Sequence, residues 1–189
     1  MDCNDNIAKY AYEMGHLKNV TRAGWTMLGI PDAESVAEHS FRTAILGYIL
    51  ASLAGADAQK TATMCLFHDT AESRTGDPHR VARRYSQQDD ELALSEQVER
   101  LPVAMAEEIM SLVNEYEQRL PVEGQLARDA DLLECILQAR EYQTHGFEDT
   151  QDWIDNCYAS LKSKEARELA DACLRTEPKA WWQGLKVKR

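Results

Sequence analysis

Apolar residues recur at helical spacing through seven stretches of this 189-residue chain, and all five prolines fall between those stretches. Pro31, Pro78, Pro102, Pro121 and Pro178 therefore punctuate helices instead of breaking them. No β-branched alternating run bounded by Asn-Gly or Asp-Gly turns competes with this pattern. The spacing predicts helices near 5–19, 35–54, 57–74, 78–97, 103–118, 122–144 and 148–176, the last broken near Ser160–Ser163. Ser35-Val36-Ala37-Glu38 has the form of a capping box, with Ser35 as N-cap and Glu38 reaching back. The run FRTAILGYILASL after it fits a buried helix, and Gly55 is placed to stop it in a left-handed turn. Gly146 is placed to end the helix that contains Asp131 in the same way. The expected fold is all-α: a single compact helical bundle over 1–189, with its core motifs at 17–142 and a C-terminal helical extension about 148–189.

Charge narrows the function classes. The chain has 32 acidic and 21 basic residues, a net charge of −11. A protein that binds polymeric nucleic acid presents a basic face. Here the basic residues cluster only at Arg80, Arg83 and Arg84 and at Lys186, Lys188 and Arg189. Polymeric nucleic acid is not an expected partner, whereas a small anionic substrate is compatible with one metal ion and one or two cations. No apolar run approaches the ~18 residues of a membrane span. The start MDCNDNIAKY lacks the basic and apolar regions of a secretory signal. Five cysteines, an odd count without C-x-x-C spacing, read as reduced thiols in a cytoplasmic protein.

The informative residues are polar groups on faces that are otherwise apolar. Val36, His39, Thr43, Leu46 and Leu50 form one seam of the 35–54 helix, and His39 interrupts it. Alone, His39 reads as a core histidine bonded to a carbonyl. Thr61, Cys65, His68 and Glu72 share a face of the next helix, with Asp69 adjacent to His68. Burying such groups is costly unless they are paired or hold a metal. A His–Asp bond closing a helix end would account for the pair but leaves Glu72 unexplained. In Arg128-Asp129-Ala130-Asp131-Leu132-Leu133-Glu134, Asp131 reads as buried among leucines and Asp129 as facing water. Two imidazoles and two carboxylates suit one divalent transition metal ion such as Mn, Fe, Co, Ni or Zn. Four protein ligands on a six-coordinate ion leave two positions for water and a substrate oxygen. Glu72, one turn after His68, is placed to orient that water or move its proton.

The order His39, His68-Asp69, Asp131 resembles the HD-domain metal-dependent phosphohydrolase superfamily. LKNVTRAGW at 17–25, ESVAEHS at 34–40, FHDTAESRTGD at 67–77, LVNEYEQ at 112–118 and RDADLLECILQAREY at 128–142 resemble its 5′-deoxynucleotidase group. The resemblance covers roughly residues 10–145 and implies an all-α HD domain, usually dimeric. It implies that His39, His68, Asp69 and Asp131 hold one divalent ion and that Glu72 positions or activates the attacking water. It implies Asp77 near the sugar or leaving oxygen, and Arg22 on the 5′-phosphate. A guanidinium binds phosphate bidentately, which suits that role. Lys18 is a weaker phosphate candidate or a solvated helix residue. Trp25 packs on the sugar or base, or anchors the loop. In some deoxynucleotidases the tryptophan directly follows the arginine; here Ala23 and Gly24 intervene. His79, Arg80 or Arg83 replaces a phosphate contact, or is plain surface. Trp181-Trp182 is expected to pack on the domain or on a dimer partner.

The function expected is a metal-dependent phosphomonoesterase that frees phosphate from deoxyribonucleoside 5′-monophosphates by attack of a metal-activated water. One rival is an HD-type hydrolase of a triphosphate or signalling nucleotide. Another is a non-catalytic nucleotide-binding or scaffold protein on the same fold.

Overall fold

A computed structural model describes residues 3–185, so the basic cluster at Lys186, Lys188 and Arg189 lies outside the described residues. In chain order the helices are α1 (Cys3–His16), α2 (Ala23–Thr26), α3 (Val36–Ala54), α4 (Ala58–Phe67), α5 (Glu72–Thr75) and α6 (Arg80–Tyr85). They continue with α7 (Asp90–Val98), α8 (Val103–Gln118), α9 (Val122–Gln143), α10 (Gln151–Ser160) and α11 (Lys164–Arg175). An all-α fold is what the periodicity predicts. Among the described residues the only β pairing is an isolated bridge, Thr21 with Ser35. No helix among them is long and apolar enough to cross a membrane.

Local chemistry sets the helix ends. Ser35 Oγ accepts the Glu38 N–H while Glu38 returns a carboxylate to the Ser35 N–H, completing the capping box. Gly55 ends α3 at φ 72°, a region open to glycine without steric cost. The predicted helix over 57–74 instead stops at Phe67. The Thr70 hydroxyl and N–H both take the Phe67 carbonyl, drawing it away from the helical ladder. The predicted helix over 78–97 divides at Ser86–Asp89, where Asp89 caps α7 by accepting the Leu92 N–H. The break at Ser160–Ser163 is present, with Ser163 capping α11.

The core is built on α9. Leu126, Ala127, Ala130, Leu133, Ile136 and Ala139 are buried along it. Helices α3 and α4 cover one flank, α10 and α11 the other. One apolar cluster runs from Trp25 to Ala170. The α3 seam is buried at all five positions, Val36, His39, Thr43, Leu46 and Leu50. Gly47 lets α4 approach: a Cβ there would stand 2.6 Å from Cys65 Sγ. That close packing brings His39 of α3 and His68, just past α4, to a ring separation of 5.4 Å. Asp129 corrects an expectation. It is fully buried, because its carboxylate accepts the Lys162 and Ser163 N–H groups at the start of α11. Trp181 is 77 % and Trp182 50 % exposed on the single chain, so of the two expected packings the one on the domain is not found.

Candidate metal centre and active site

Three helices deliver the donor atoms. His39 comes from α3, His68 from the end of α4, and Asp131 from α9; their donor atoms lie within 4.8 Å of one another. Asp69 joins them, with Oδ2 at 3.0 Å from His68 Nε2 and 3.7 Å from His39 Nε2. His39 Nε2 is 3.2 Å from Asp131 Oδ1. Both rings are oriented from behind. The outer nitrogen of His39 meets Glu134 Oε2 at 2.7 Å, and that of His68 meets the Cys65 carbonyl at 2.8 Å. This is how metal-binding imidazoles are commonly fixed, by a partner on the nitrogen away from the ion.

The fit to a divalent ion rests on those atoms. His68 Nε2 is buried and makes no well-aligned hydrogen bond among the described residues, although Asp69 Oδ2 lies 3.0 Å away and Asp131 offers a second carboxylate nearby. A buried polar atom left unpaired is costly, and a metal bond is one way to satisfy it. Burial and the Arg22 charge act against protonation of His39, yet Glu134 and Asp131 raise its pKa to about 10. Burial also pushes the Asp69 and Asp131 carboxyls up. The facing histidines, with Arg22 at Asp69 and Arg128 at Asp131, outweigh it and hold both well below the usual carboxylate range. Ionised oxygens and imidazole nitrogens are the donors such an ion takes.

A cavity of about 1450 Å³ opens onto this centre, lined by Arg22, His68, Asp69, Glu72, Asp77 and Asp131. Glu72, at the start of α5, is 5 % exposed, and its Oε2 has no partner among the described residues. Burial first, then the charges of Asp69 and Asp77, push its pKa to about 9. A cation at the metal centre acts against that rise. Arg22 Nη1 lies 3.4 Å from Asp69 Oδ2 and 3.8 Å from Asp77 Oδ2. Backbone pairing to α3 fixes its loop: the Arg22 N–H donates to the Glu34 carbonyl, and the Val36 N–H to that of Val20. Asp77 Oδ2 accepts the Ala23 N–H, so it holds the Arg22 loop against the cavity.

The two remaining substrate candidates, Trp25 and Lys18, differ in how they stand to the cavity. Trp25 borders the cavity but is 2 % exposed. Its Nε1 donates to Glu34 Oε1 at 2.9 Å, and its ring packs on Tyr142 and Trp153. It therefore anchors the loop, and the half-buried Trp153 is the more accessible aromatic of the cavity wall. Lys18 is exposed and is not part of the cavity lining. His79 caps α6 through its ring nitrogen, and Arg83 lies 3.5 Å from Glu72.

Sequence reasoning missed the groups that support the donors. Glu134 is fully buried between His39 and Arg42. Tyr116 donates its hydroxyl to Asp131 Oδ2, and Arg128 Nη1 reaches the same oxygen at 2.6 Å. The available signal was an acidic residue, Glu134, one turn beyond Asp131 inside an apolar run.

Glu34 gives a pH-dependent prediction. Burial and the Glu134 charge push its pKa from 4.5 to about 7. The folded state therefore holds a proton that the unfolded state releases, and stability falls as pH rises from about 4.5 to about 7. Glu34→Gln keeps an acceptor for Trp25 and removes the titration. It is expected to stabilise the chain by roughly 1–3 kcal/mol at pH 8 and little at pH 4.5, in urea unfolding. Equal effects at both pH values would contradict this account.

The sequence profile described as HD domain matches residues 14–172. The Dictyostelium discoideum protein named 5′-deoxynucleotidase HDDC2 is 36 % identical over 148 residues, covering 73 % of this chain and 78 % of its own. The Homo sapiens protein of that name is 27 % identical over 169 residues, covering 87 % and 82 %. A solved structure, a conserved hypothetical protein from Pyrococcus furiosus, superposes with a TM-score of 0.76 at 29 % identity, covering 89 % of this chain and 99 % of that one. From the match over most of its length, the chain belongs to the HD domain family.

Proposed function

We propose that the chain is a metal-dependent 5′-nucleotidase that removes phosphate from deoxyribonucleoside 5′-monophosphates. The observation that carries this reading is one cavity holding three things together. They are a buried imidazole nitrogen on His68 that faces the Asp69 carboxylate, an unpaired buried carboxylate oxygen on Glu72, and the Arg22 guanidinium. The names of the relatives from Dictyostelium and human supply the substrate class.

His39, His68, Asp69 and Asp131 would hold one divalent ion. Such an ion lowers the pKa of water and polarises a phosphoryl oxygen. Arg22 then turns from Asp69 and Asp77 to the phosphoryl oxygens, whose charge it neutralises as the P–O bond to the nucleoside breaks. Glu72 takes the proton of the attacking water, since its free Oε2 is the unengaged base in the cavity. Asp77 keeps the Arg22 loop in place. Trp153 borders the space left for sugar and base.

The reading includes one domain, a homodimer and a cytoplasmic setting. All the cysteines among the described residues are free thiols, which supports a reducing compartment. Phe41, Ile45, Tyr48, Ile49 and Leu53 form an exposed uncharged stripe on α3, which supports self-association in a chain of net charge −11.

The test is phosphate release from ribo- and deoxyribonucleoside 5′-mono-, di- and triphosphates after EDTA treatment, with Mn, Co, Ni, Zn or Mg restored. Metal-dependent release from deoxymonophosphates is the expected result, with light scattering of the same preparation giving twice the chain mass. Bound metal with no release from any member of the panel would leave a binding role instead.

A further inference from the structure

A second recess, of about 260 Å³, adjoins the catalytic cavity; Arg80, Arg119 and Arg128 line both, and Lys162 closes the recess. These four cations come from separate places: the start of α6, the end of α8, α9, and the turn between α10 and α11. Their convergence is unusual in a chain of net charge −11. Arg22, Arg42, Arg74, Arg83 and Arg128 all face carboxylates. Arg80, Arg119 and Lys162 form no ion pair among the described residues. Like charges gathered without counterions repel, and they favour an anion between them.

Two details sharpen the point. Arg119 ends α8 at φ 58°, a left-handed position where glycine or asparagine is usual. Arg119 holds that strained backbone while it lines the recess. Arg128 joins recess and metal centre, because its Nη1 holds Asp131 at 2.6 Å while the residue lines both spaces. Gln125 and Asn156 add amide groups to the wall. The recess, of about 260 Å³ with a cationic lining, suits a hydrated tetrahedral oxyanion.

We propose that the recess is a second phosphate subsite, and that the substrates of this chain include nucleotides bearing a further phosphate besides the 5′ one. This rests on the nucleotidase reading above. The 5′-phosphate lies by Arg22, and the further phosphate is held by Arg80, Arg119 and Lys162. The chemistry is unchanged. A water oxygen bonds to the 5′ phosphorus, the bond from phosphorus to O5′ breaks, O5′ leaves with a proton, and the other phosphate stays on the product.

The probes are 2′-deoxyadenosine 3′,5′-bisphosphate, 2′-deoxyadenosine 5′-monophosphate and inorganic phosphate, with the metal-loaded protein and its Arg119→Gln/Lys162→Gln variant. For the wild type, KM for the bisphosphate is expected about tenfold below that for the monophosphate, the equivalent of ~1.4 kcal/mol. The double variant loses that advantage while its kcat/KM for the monophosphate stays within about twofold. In calorimetry, inorganic phosphate is expected at about two sites per wild-type chain and about one per variant chain. Equal KM values, or an advantage that survives in the variant, overturn the proposal. Loss of a phosphate site without a bisphosphate advantage assigns the recess to a free anion and overturns the substrate assignment. If no nucleotide is hydrolysed, the nucleotidase reading fails and takes the substrate assignment with it, while the calorimetric arm still reports whether the recess binds an anion.

Discussion

Glu72→Gln is expected to retain bound metal and lose about 10²–10⁴-fold in kcat for deoxymonophosphates, the usual worth of a positioned proton acceptor. The substitution keeps size and hydrogen-bonding shape and removes only the ability to take a proton. Glu72 Oε2 has no other employment among the described residues, and Oε1 is 3.5 Å from Arg83 at the rim. Were Glu72 only a partner for Arg83, its loss would cost little, because that guanidinium is half exposed and such pairs contribute about 0–1 kcal/mol. The comparison is His68→Ala, which is expected to lose metal and turnover together, as a ligand should. Metal content by mass spectrometry and phosphate release read the two apart. A Glu72→Gln protein with bound metal and a kcat loss under about tenfold would remove Glu72 from the chemistry.

Much of this site was legible because it breaks local rules. A histidine within the α3 seam and a His-Asp pair at the end of α4 are expensive to bury, and the structure buries both histidines and half-buries Asp69 beside them. The Ser35 cap was legible for the opposite reason, since it obeys a local rule within four residues. What stayed hidden depends on how helices pack. Glu134 meets His39 and Arg42 across 95 and 92 residues of sequence, and periodicity on one helix cannot show which residue of another faces it. Asp129 misled for a related reason. It stands two residues from Asp131, on the far side of α9, and a helix with one buried face would expose one of the two. Helix α9 is covered on both sides, so Asp131 meets His39 at the candidate metal centre and Asp129 meets the N-terminus of α11. Trp25 was ambiguous because an indole serves equally as a substrate wall or an anchor, and in the structure it both bonds Glu34 and borders the cavity.

Glu134→Ala is expected to be the most destabilising single change in the site, at about 3–5 kcal/mol, the range for removing one member of a buried charge network. Glu134 has no solvent exposure and serves two partners: His39 at 2.7 Å through Oε2 and Arg42 at 2.7 and 2.9 Å through Oε1. Truncation strands His39 in a fully buried position. Arg42 keeps Glu141 and Gln138, so its share of the loss is smaller. Glu134→Gln separates the two debts. Its amide still offers one oxygen, so stability falls less, but it is a weaker acceptor for the His39 ring. A partner of this kind typically contributes 10–100-fold to metal affinity, and both variants are expected to lose about that much. Urea unfolding in EDTA reads the first effect and metal titration of the folded protein the second. A Glu134→Gln protein with wild-type metal affinity would reduce Glu134 to a structural counterion. A tenfold loss at nearly normal stability would show that the buried carboxylate is kept because it aims His39, a task that no hydrophobic substitute of the same volume could perform.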